Sequence, residues 1–157
     1  MTDQVTLRLA RAEDAGLIQA MLEALAAETG YPGAIKGGET AILAHGFGPR
    51  PLFTAHLAMC DGKAVGMALC FPEYSSWRGL PGIYVQDLYV APDHRGAGVA
   101  LALLARAARG AQYLRLSVAA SNEAGARFYE AAGFSEASAE RIFVLEGEGL
   151  KALRDKV

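Results

Sequence analysis

The feature that most limits what this chain can fold into is a change of hydrophobic period in its second half. Ile83–Val90 is dense in β-branched and aromatic residues and reads as a strand. Pro92 to Gly98 is a turn, Val99–Arg109 is an Ala/Leu helix ended by Gly110, and Tyr113–Val118 is extended again. Neighbouring strands joined through such a helix run parallel, because the crossover returns the chain to the end of the sheet where it began.

The preceding residues supply the rest of that sheet. Val5–Leu9 alternates as a first strand. Asp14 is placed to cap a helix whose apolar face holds Leu17, Ile18, Met21, Leu22 and Leu25, and Gly30-Tyr-Pro-Gly33 ends it. Glu39–His45 reads as a short helix closed by Gly46-Phe-Gly-Pro49. Leu52–Cys60 and Ala64–Phe71 are strands joined at Asp61-Gly62-Lys63, and Tyr74–Gly82 is a loop carrying Trp77. Downstream, Asn122 caps a helix running to Ala132 and Gly133 stops it. From Phe134 the chain is extended, Arg141–Leu145 is a last strand, and the tail from Glu148 is a short helix.

The predicted order is β-α-α-β-β-β-α-β-α-β-β, an α/β (α+β mixed sheet) fold in which a meander precedes the crossover. With 157 residues, 52% of them hydrophobic, the chain fits one domain spanning residues 1–157. A chain of this length buries roughly two thirds of its unfolded surface and needs neither disulfide nor metal to fold.

Several classes of function are excluded on composition. Fifteen Lys and Arg against 17 Asp and Glu leave a formal charge of −2, with no basic stripe for nucleic acid. The apolar runs Ala64–Phe71 and Val99–Ala105 fall far short of the ~18 residues a membrane helix needs. Met1–Arg8 shows no basic-then-apolar leader. Cys60 and Cys70 lie apart along the expected hairpin, so they stay reduced and the expected compartment is the cytoplasm. His45, His56 and His94 stand in separate segments without metal-ligand spacing and are expected in surface or capping roles, so no metal is expected.

Two constellations carry chemistry. In Asp87-Leu-Tyr-Val-Ala-Pro-Asp-His-Arg-Gly-Ala-Gly-Val-Ala-Leu101 a strand enters a glycine turn that opens a helix. The first amides of a helix have no partner inside it and lie at its positive end. Gly96 and Gly98 let an anion reach that backbone and Arg95 adds a permanent cation, which together make a diphosphate cradle. The same residues also suit an ordinary strand-to-helix turn. The second is Asn122-Glu-Ala-Gly-Ala-Arg-Phe-Tyr-Glu-Ala-Ala-Gly-Phe134, where Asn122, Gly125, Ala126 and Tyr129 share one helical face. The small residues leave a channel between an amide and a phenol, with Phe128 off the face. A half-buried tyrosine with its hydroxyl in water is the plainer reading of Tyr129.

Together these blocks resemble the GNAT superfamily of N-acetyltransferases, whose motifs Arg/Gln-x-x-Gly-x-Gly/Ala and Asn-x-x-Ala-x-x-Phe-Tyr-x-x-x-Gly-Phe match Arg95–Ala100 and Asn122–Phe134, with Gly at the Ala position. Gly46-Phe-Gly-Pro-Arg-Pro51, Tyr74-Ser-Ser-Trp77-Arg-Gly79 and Ile83–Val90 make it similar to the diamine, spermidine/spermine and thialysine acetyltransferase branch over residues 5–146. The resemblance implies the acyl-CoA N-acyltransferase fold, with acetyl-CoA between two splayed parallel strands, Ile83–Val90 and Tyr113–Val118. It implies that backbone groups of Leu88 and Val90 hold the pantetheine arm, with Tyr89 also a cofactor-binding residue, and that the amides of Arg95, Gly96, Ala97, Gly98, Val99 and Ala100 hold the pyrophosphate. It further implies that Asn122 contacts the cofactor, that Tyr129 is the general acid for the leaving thiolate, and that the protein is a homodimer associating through Phe134 and Ile142–Leu145. A backbone N–H on the splayed strand would stabilise the oxyanion, and Cys60 and Cys70 need no role.

The chain departs from the branch at the acceptor side. The branch carries Glu where Gln86 stands, and an acid two before the tryptophan where Ser75 stands. Between Ala24 and Arg50 the only acids are Glu28 and Glu39. With Trp77, Gln86 and Glu28 as substrate-binding residues, a small primary amine or amino-acid-like acceptor fits better than a long polycation. The base is open between water near Gln86, Glu28 and Glu73. Alternation puts Asp87 on the opposite face from Gln86, where a structural carboxylate holding a loop is expected. The rival readings are a protein or peptide N-acetyltransferase and an acyl-CoA-binding module without turnover.

Overall fold

The computed structural model describes residues 4–157. Met1, Thr2 and Asp3, the start of the expected domain and of the segment read as free of a leader, lie outside the described residues. The chain divides into two compact units, one reaching Asn122 and one spanning Glu123–Val157.

The first unit is a five-stranded sheet in the order β1-β2-β3-β4-β5. Its strands are β1 (Thr6–Leu9), β2 (Thr54–Cys60), β3 (Lys63–Ser75), β4 (Leu80–Val90) and β5 (Leu114–Leu116). Helices α1 (Ala15–Glu28) and α2 (Gly38–Gly46) lie between β1 and β2, and α3 (Val99–Ala107) links β4 to β5. The meander β1 to β4 is antiparallel and β4 pairs β5 in parallel, as the expected crossover demands. Asp61 and Gly62 both take positive φ (49° and 76°), the requirement of a two-residue hairpin turn that matches the strand twist.

The sheet is buried on both faces along Val65–Cys70 of β3 and at Ala55, Leu57 and Ala58 of β2, where small and apolar residues fall on both sides of the alternation. Ala55, Leu57, Met67 and Leu69 pack with Ala15, Ile18, Met21, Leu22 and Ile42 of α1 and α2. Ala68 and Gly66 alternate with that set and meet α3, whose Val99, Leu103, Leu104 and Ala107 are buried. Gly66 is required by close approach: a Cβ there would stand 3.0 Å from the Tyr89 carbonyl oxygen and 3.2 Å from Leu103 Cδ1. Leu103 is fully buried, worth about 1.5–3 kcal/mol of transfer free energy.

Four expectations need correction in this unit. Tyr74–Gly82 is not a loop: β3 runs to Ser75 and β4 starts at Leu80, with Ser75↔Leu80, Tyr74↔Pro81 and Glu73↔Gly82 in register. The turn between them closes through Gly79 N–H to the Ser75 carbonyl (2.8 Å) and Arg78 N–H to Ser75 Oγ (3.2 Å). Asp14 stands before α1 without capping it. Its carboxylate instead accepts from Arg8 Nη1 and Nη2 (2.7 and 2.8 Å) and from the Arg11 amide (2.7 Å), a charged acceptor preferring the guanidinium fork. Leu17 turns out of the apolar face and is exposed. His56 and His94 are half-buried rather than at the surface, each with a buried Nδ1 lacking a partner among the described residues. Cys60 and Cys70 are both buried and neither is in a disulfide, as expected.

The second unit holds α4 (Glu123–Ala131) and α5 (Gly147–Arg154). Gly133 (φ 98°) ends the first through amide bonds from Gly133 to the Glu130 carbonyl and from Phe134 to the Tyr129 carbonyl. The two final strands of the predicted order are absent here: residues 134–146 form neither helix nor strand. Ile142, Phe143 and Val144 are 80%, 85% and 75% exposed, and β propensity without a ladder partner does not make a strand. No helix of the described residues is long and apolar enough to cross a membrane.

Candidate active site

The site begins where two parallel strands part. Ile83, Tyr84 and Val85 pair with Leu114, Arg115 and Leu116, and the ladder ends there while β4 continues to Val90. The alternate backbone groups of β4 that point away from β3 beyond Val85 therefore have no strand to meet among the described residues, which is the splay the family resemblance implied. Tyr84 Oη and Ser117 Oγ, 2.7 Å apart, tie the strands at the fork's base. Sequence reasoning singled out neither residue; the signal was the parallel register that brings residue 84 beside 115.

Gln86 marks a break in the β3–β4 ladder, where Leu69 pairs Asp87 but Cys70 pairs Val85. Gln86 is the extra residue of a β-bulge and is exposed. Asp87 pairs Leu69 and so faces the α1 side of the sheet, as does Tyr89 opposite Met67. The Asp87 carboxyl does not hold a loop: among the described residues it has no hydrogen-bond or ion-pair partner, and burial pushes its pKa up. Burial, with a smaller contribution from Asp87, also pushes the Cys70 thiol up to about 11, which keeps it an unreactive strand thiol at neutral pH.

Past β4, Gly96 and Gly98 take φ of 75° and 80°, and a Cβ on either would find nothing within 4 Å. The amides of residues 96–101 donate to no other residue among the described ones; the first helical bond runs from Ala102 to the Gly98 carbonyl. Six successive free N–H groups at the positive end of an amphipathic helix form an anion cradle. The Arg95 amide does not belong to it, since it closes the preceding 3-10 turn on the Pro92 carbonyl at 3.2 Å. The Arg95 side chain donates from Nε to the Val90 carbonyl (2.8 Å) and from Nη2 to both Glu28 oxygens (2.7 Å each).

The acids considered for the acceptor side are thus already engaged. Glu28 sits on Arg95, and Glu73 accepts from Arg115 at 2.8 and 2.9 Å, which lowers its pKa. Trp77 lies at the tip of the β3–β4 hairpin, wholly exposed, six strand residues and more from Gln86, so these two are not brought together within this unit. In the second unit Tyr129 packs edge-on between Phe128 (5.1 Å) and Phe134 (5.5 Å), and burial raises its pKa. Gly125 and Ala126 are half-buried on the same helix.

A profile of the Acetyltransferase (GNAT) family matches residues 17–134. The chain belongs to the GNAT acetyltransferase family. Its sequence is 31% identical to the thialysine N-epsilon-acetyltransferase of Bos taurus, covering 97% of this chain and 98% of that protein. This bears out the resemblance to that branch. Among solved structures it is similar to an integron cassette protein from the mobile metagenome of V. cholerae (TM-score 0.78, 19% identity, 96% and 97% of the two chains covered). It is also similar to an aminoglycoside N-acetyltransferase in complex with CoA (TM-score 0.71, 22% identity, 94% and 97% covered). Identities this low speak for the fold alone. The cradle and fork of this GNAT chain fit the family's acetyl-CoA: open backbone donors answer a diphosphate, and an unpaired strand edge answers the amide-bearing arm.

Proposed function

We propose that this GNAT enzyme transfers an acetyl group from acetyl-CoA to a primary amine of a small molecule, a diamine, polyamine or amino-acid-like compound. The observation that carries the reading is the run of free amides at residues 96–101 beside the open edge of β4. Acetyl-CoA, when bound, supplies an activated thioester; the chain's residues do the rest. Leu88 and Val90 hold the arm through backbone groups with Tyr89 between them in the strand, Gly96 to Ala100 hold the diphosphate, and Asn122 adds a contact.

The acceptor arrives as an ammonium with pKa near 10.4 and must lose a proton to attack. Of Glu28, Glu73 and Asp87, the first two are neutralised by arginines, whereas the Asp87 carboxyl is half-buried, without a counter-ion among the described residues and shifted up by desolvation. A carboxylate of raised pKa is the better proton acceptor, so Asp87 beside Gln86 is assigned the base. Tyr129 returns a proton to the leaving sulfur: a phenol kept neutral by burial is a donor, not a spectator anion. Gln86 takes the acceptor; Trp77, set apart at the hairpin tip, stacks only on the stem of an acceptor long enough to reach it.

Residues 1–157 act as one acetyltransferase domain, in the cytoplasm and as a homodimer whose interface includes the exposed Ile142–Leu145. Sedimentation showing a monomer at micromolar concentration would remove the dimer. The test of the function is thiol release from acetyl-CoA across a panel of lysine-like amines, diamines, polyamines and neutral peptides. Turnover with the small amines is expected. Turnover with peptides alone would overturn the small-molecule reading, and saturable CoA binding without any turnover would make the chain a binding module.

A further inference from the structure

We infer that Glu28 is a placeholder for the cofactor's diphosphate and sets acyl-CoA affinity through Arg95; the inference rests on the acetyl-CoA reading above. Glu28 is the last residue of α1, 67 positions before Arg95, yet both its carboxylate oxygens lie 2.7 Å from Arg95 Nη2. Arg95 Nε is spent on the Val90 carbonyl at 2.8 Å. Nε and Nη2 form the edge of a guanidinium that offers two parallel N–H bonds to one planar or tetrahedral anion. That edge is occupied by the protein itself, and only Nη1 is without a partner among the described residues.

Arg95 is also the first residue before the amide cradle at residues 96–101. A diphosphate seated on those amides brings two negative charges beside a guanidinium already bound to one. Glu28 therefore acts on the ligand in two ways: it occupies the donors that an anion would use, and its own charge repels that anion. Both effects have the same sign. The pair is half-exposed, with side chains 48% and 38% accessible, so it is weak enough to exchange.

The experiment is calorimetric titration of CoA, and separately of pantetheine, into wild-type protein, Glu28→Gln, Arg95→Gln and the double variant. Exposed ion pairs command little energy, so Glu28→Gln is expected to tighten CoA about twofold to fivefold at low salt, with the gain shrinking as salt is added. Pantetheine, which lacks the diphosphate, is expected to bind both proteins alike, and Glu28→Gln is expected to tighten CoA less in the Arg95→Gln background, where only the charge repulsion is left to remove. Thermal melts check that each variant is folded. Wild-type protein that saturates with CoA while Glu28→Gln binds it no more tightly, or more weakly, overturns this inference alone; weaker binding would make Glu28 an orienting residue for Arg95. Wild-type protein that fails to saturate overturns the acetyl-CoA reading and this inference with it.

Discussion

Gly98 and Gly110 offer a matched pair with which to separate backbone strain from anion recognition. Both have φ of 80°, and at both a Cβ would meet nothing within 4 Å. Replacing either by Ala forces an L-residue into the left-handed region at about 1–2 kcal/mol, without a clash to add to it. In a domain of this size that lowers Tm by about 2–8 °C, and by the same amount for the two variants. They differ in what lies beyond the Cβ. Gly110 follows the end of α3, whereas Gly98 immediately precedes its first residue, inside the run of free amides. A methyl group at 98 stands where a phosphate oxygen must come to meet the backbone. Loss of one charge-assisted amide bond is worth about 1.5–3 kcal/mol, which is roughly a tenfold to 150-fold rise in Kd for CoA. Gly98→Ala is therefore expected to weaken CoA by that factor and Gly110→Ala to leave it unchanged, measured by calorimetry below the melting range of both. Equal CoA affinities in the two variants would refute the cradle.

Tyr129→Phe is expected to lower kcat about a hundredfold, the scale of a positioned general acid, while the Kd of CoA holds constant; unchanged turnover removes Tyr129 from the chemistry. Trp77→Ala is expected to raise KM several-fold for a long polyamine only, without moving Tm, since the ring stands apart from Gln86, is wholly exposed and contributes nothing to the core. Gln86→Glu adds the acid that the polyamine-acetylating branch carries, and kcat/KM for a polyamine relative to a monoamine should rise; a fall in that ratio contradicts the placing of Gln86 at the acceptor. The hydrogen bonds from Arg8 hold the Asp14 carboxyl down to about 2. A carboxylate with a depressed folded pKa stabilises above its unfolded value near 3.9 and loses that contribution as pH falls through about 2. With Arg8 partly exposed, the contribution is about 1–2 kcal/mol. Asp14→Asn should therefore lower stability at neutral pH and flatten the acid limb of a denaturation curve between pH 4 and pH 2.

What the sequence made legible was local. The period change around residues 83–118, the Asp61-Gly62 turn and the glycines at 96 and 98 each act through the backbone of the residues that carry them, so their consequences are written beside them. The ion pairs are not written that way. Glu28 meets Arg95 across 67 positions and Glu73 meets Arg115 across 42, and no spacing rule connects residues on different elements. The bulge at Gln86 escaped for a related reason: one unpaired residue shifts the register against β3 without altering the composition of either strand. Residues 142–145 failed in the opposite direction, carrying the apolar, β-branched signature of a strand but no neighbour with which to form one.

The bulge also bears on the acceptor. A regular strand would set residues 86 and 87 on opposite faces and leave one of them in the core. Here the extra residue is neutral and exposed while the following acid is half-buried without a counter-ion among the described residues. A carboxylate at the exposed position would hold a cationic chain electrostatically along its length; a carboxyl at the half-buried position acts chiefly on a group brought up to it, and its raised pKa favours taking a proton over holding a charge. That division suits an acceptor with one reactive ammonium, and with Glu28 and Glu73 held by arginines the described residues supply no further row of free carboxylates around Gln86 to follow a polyamine.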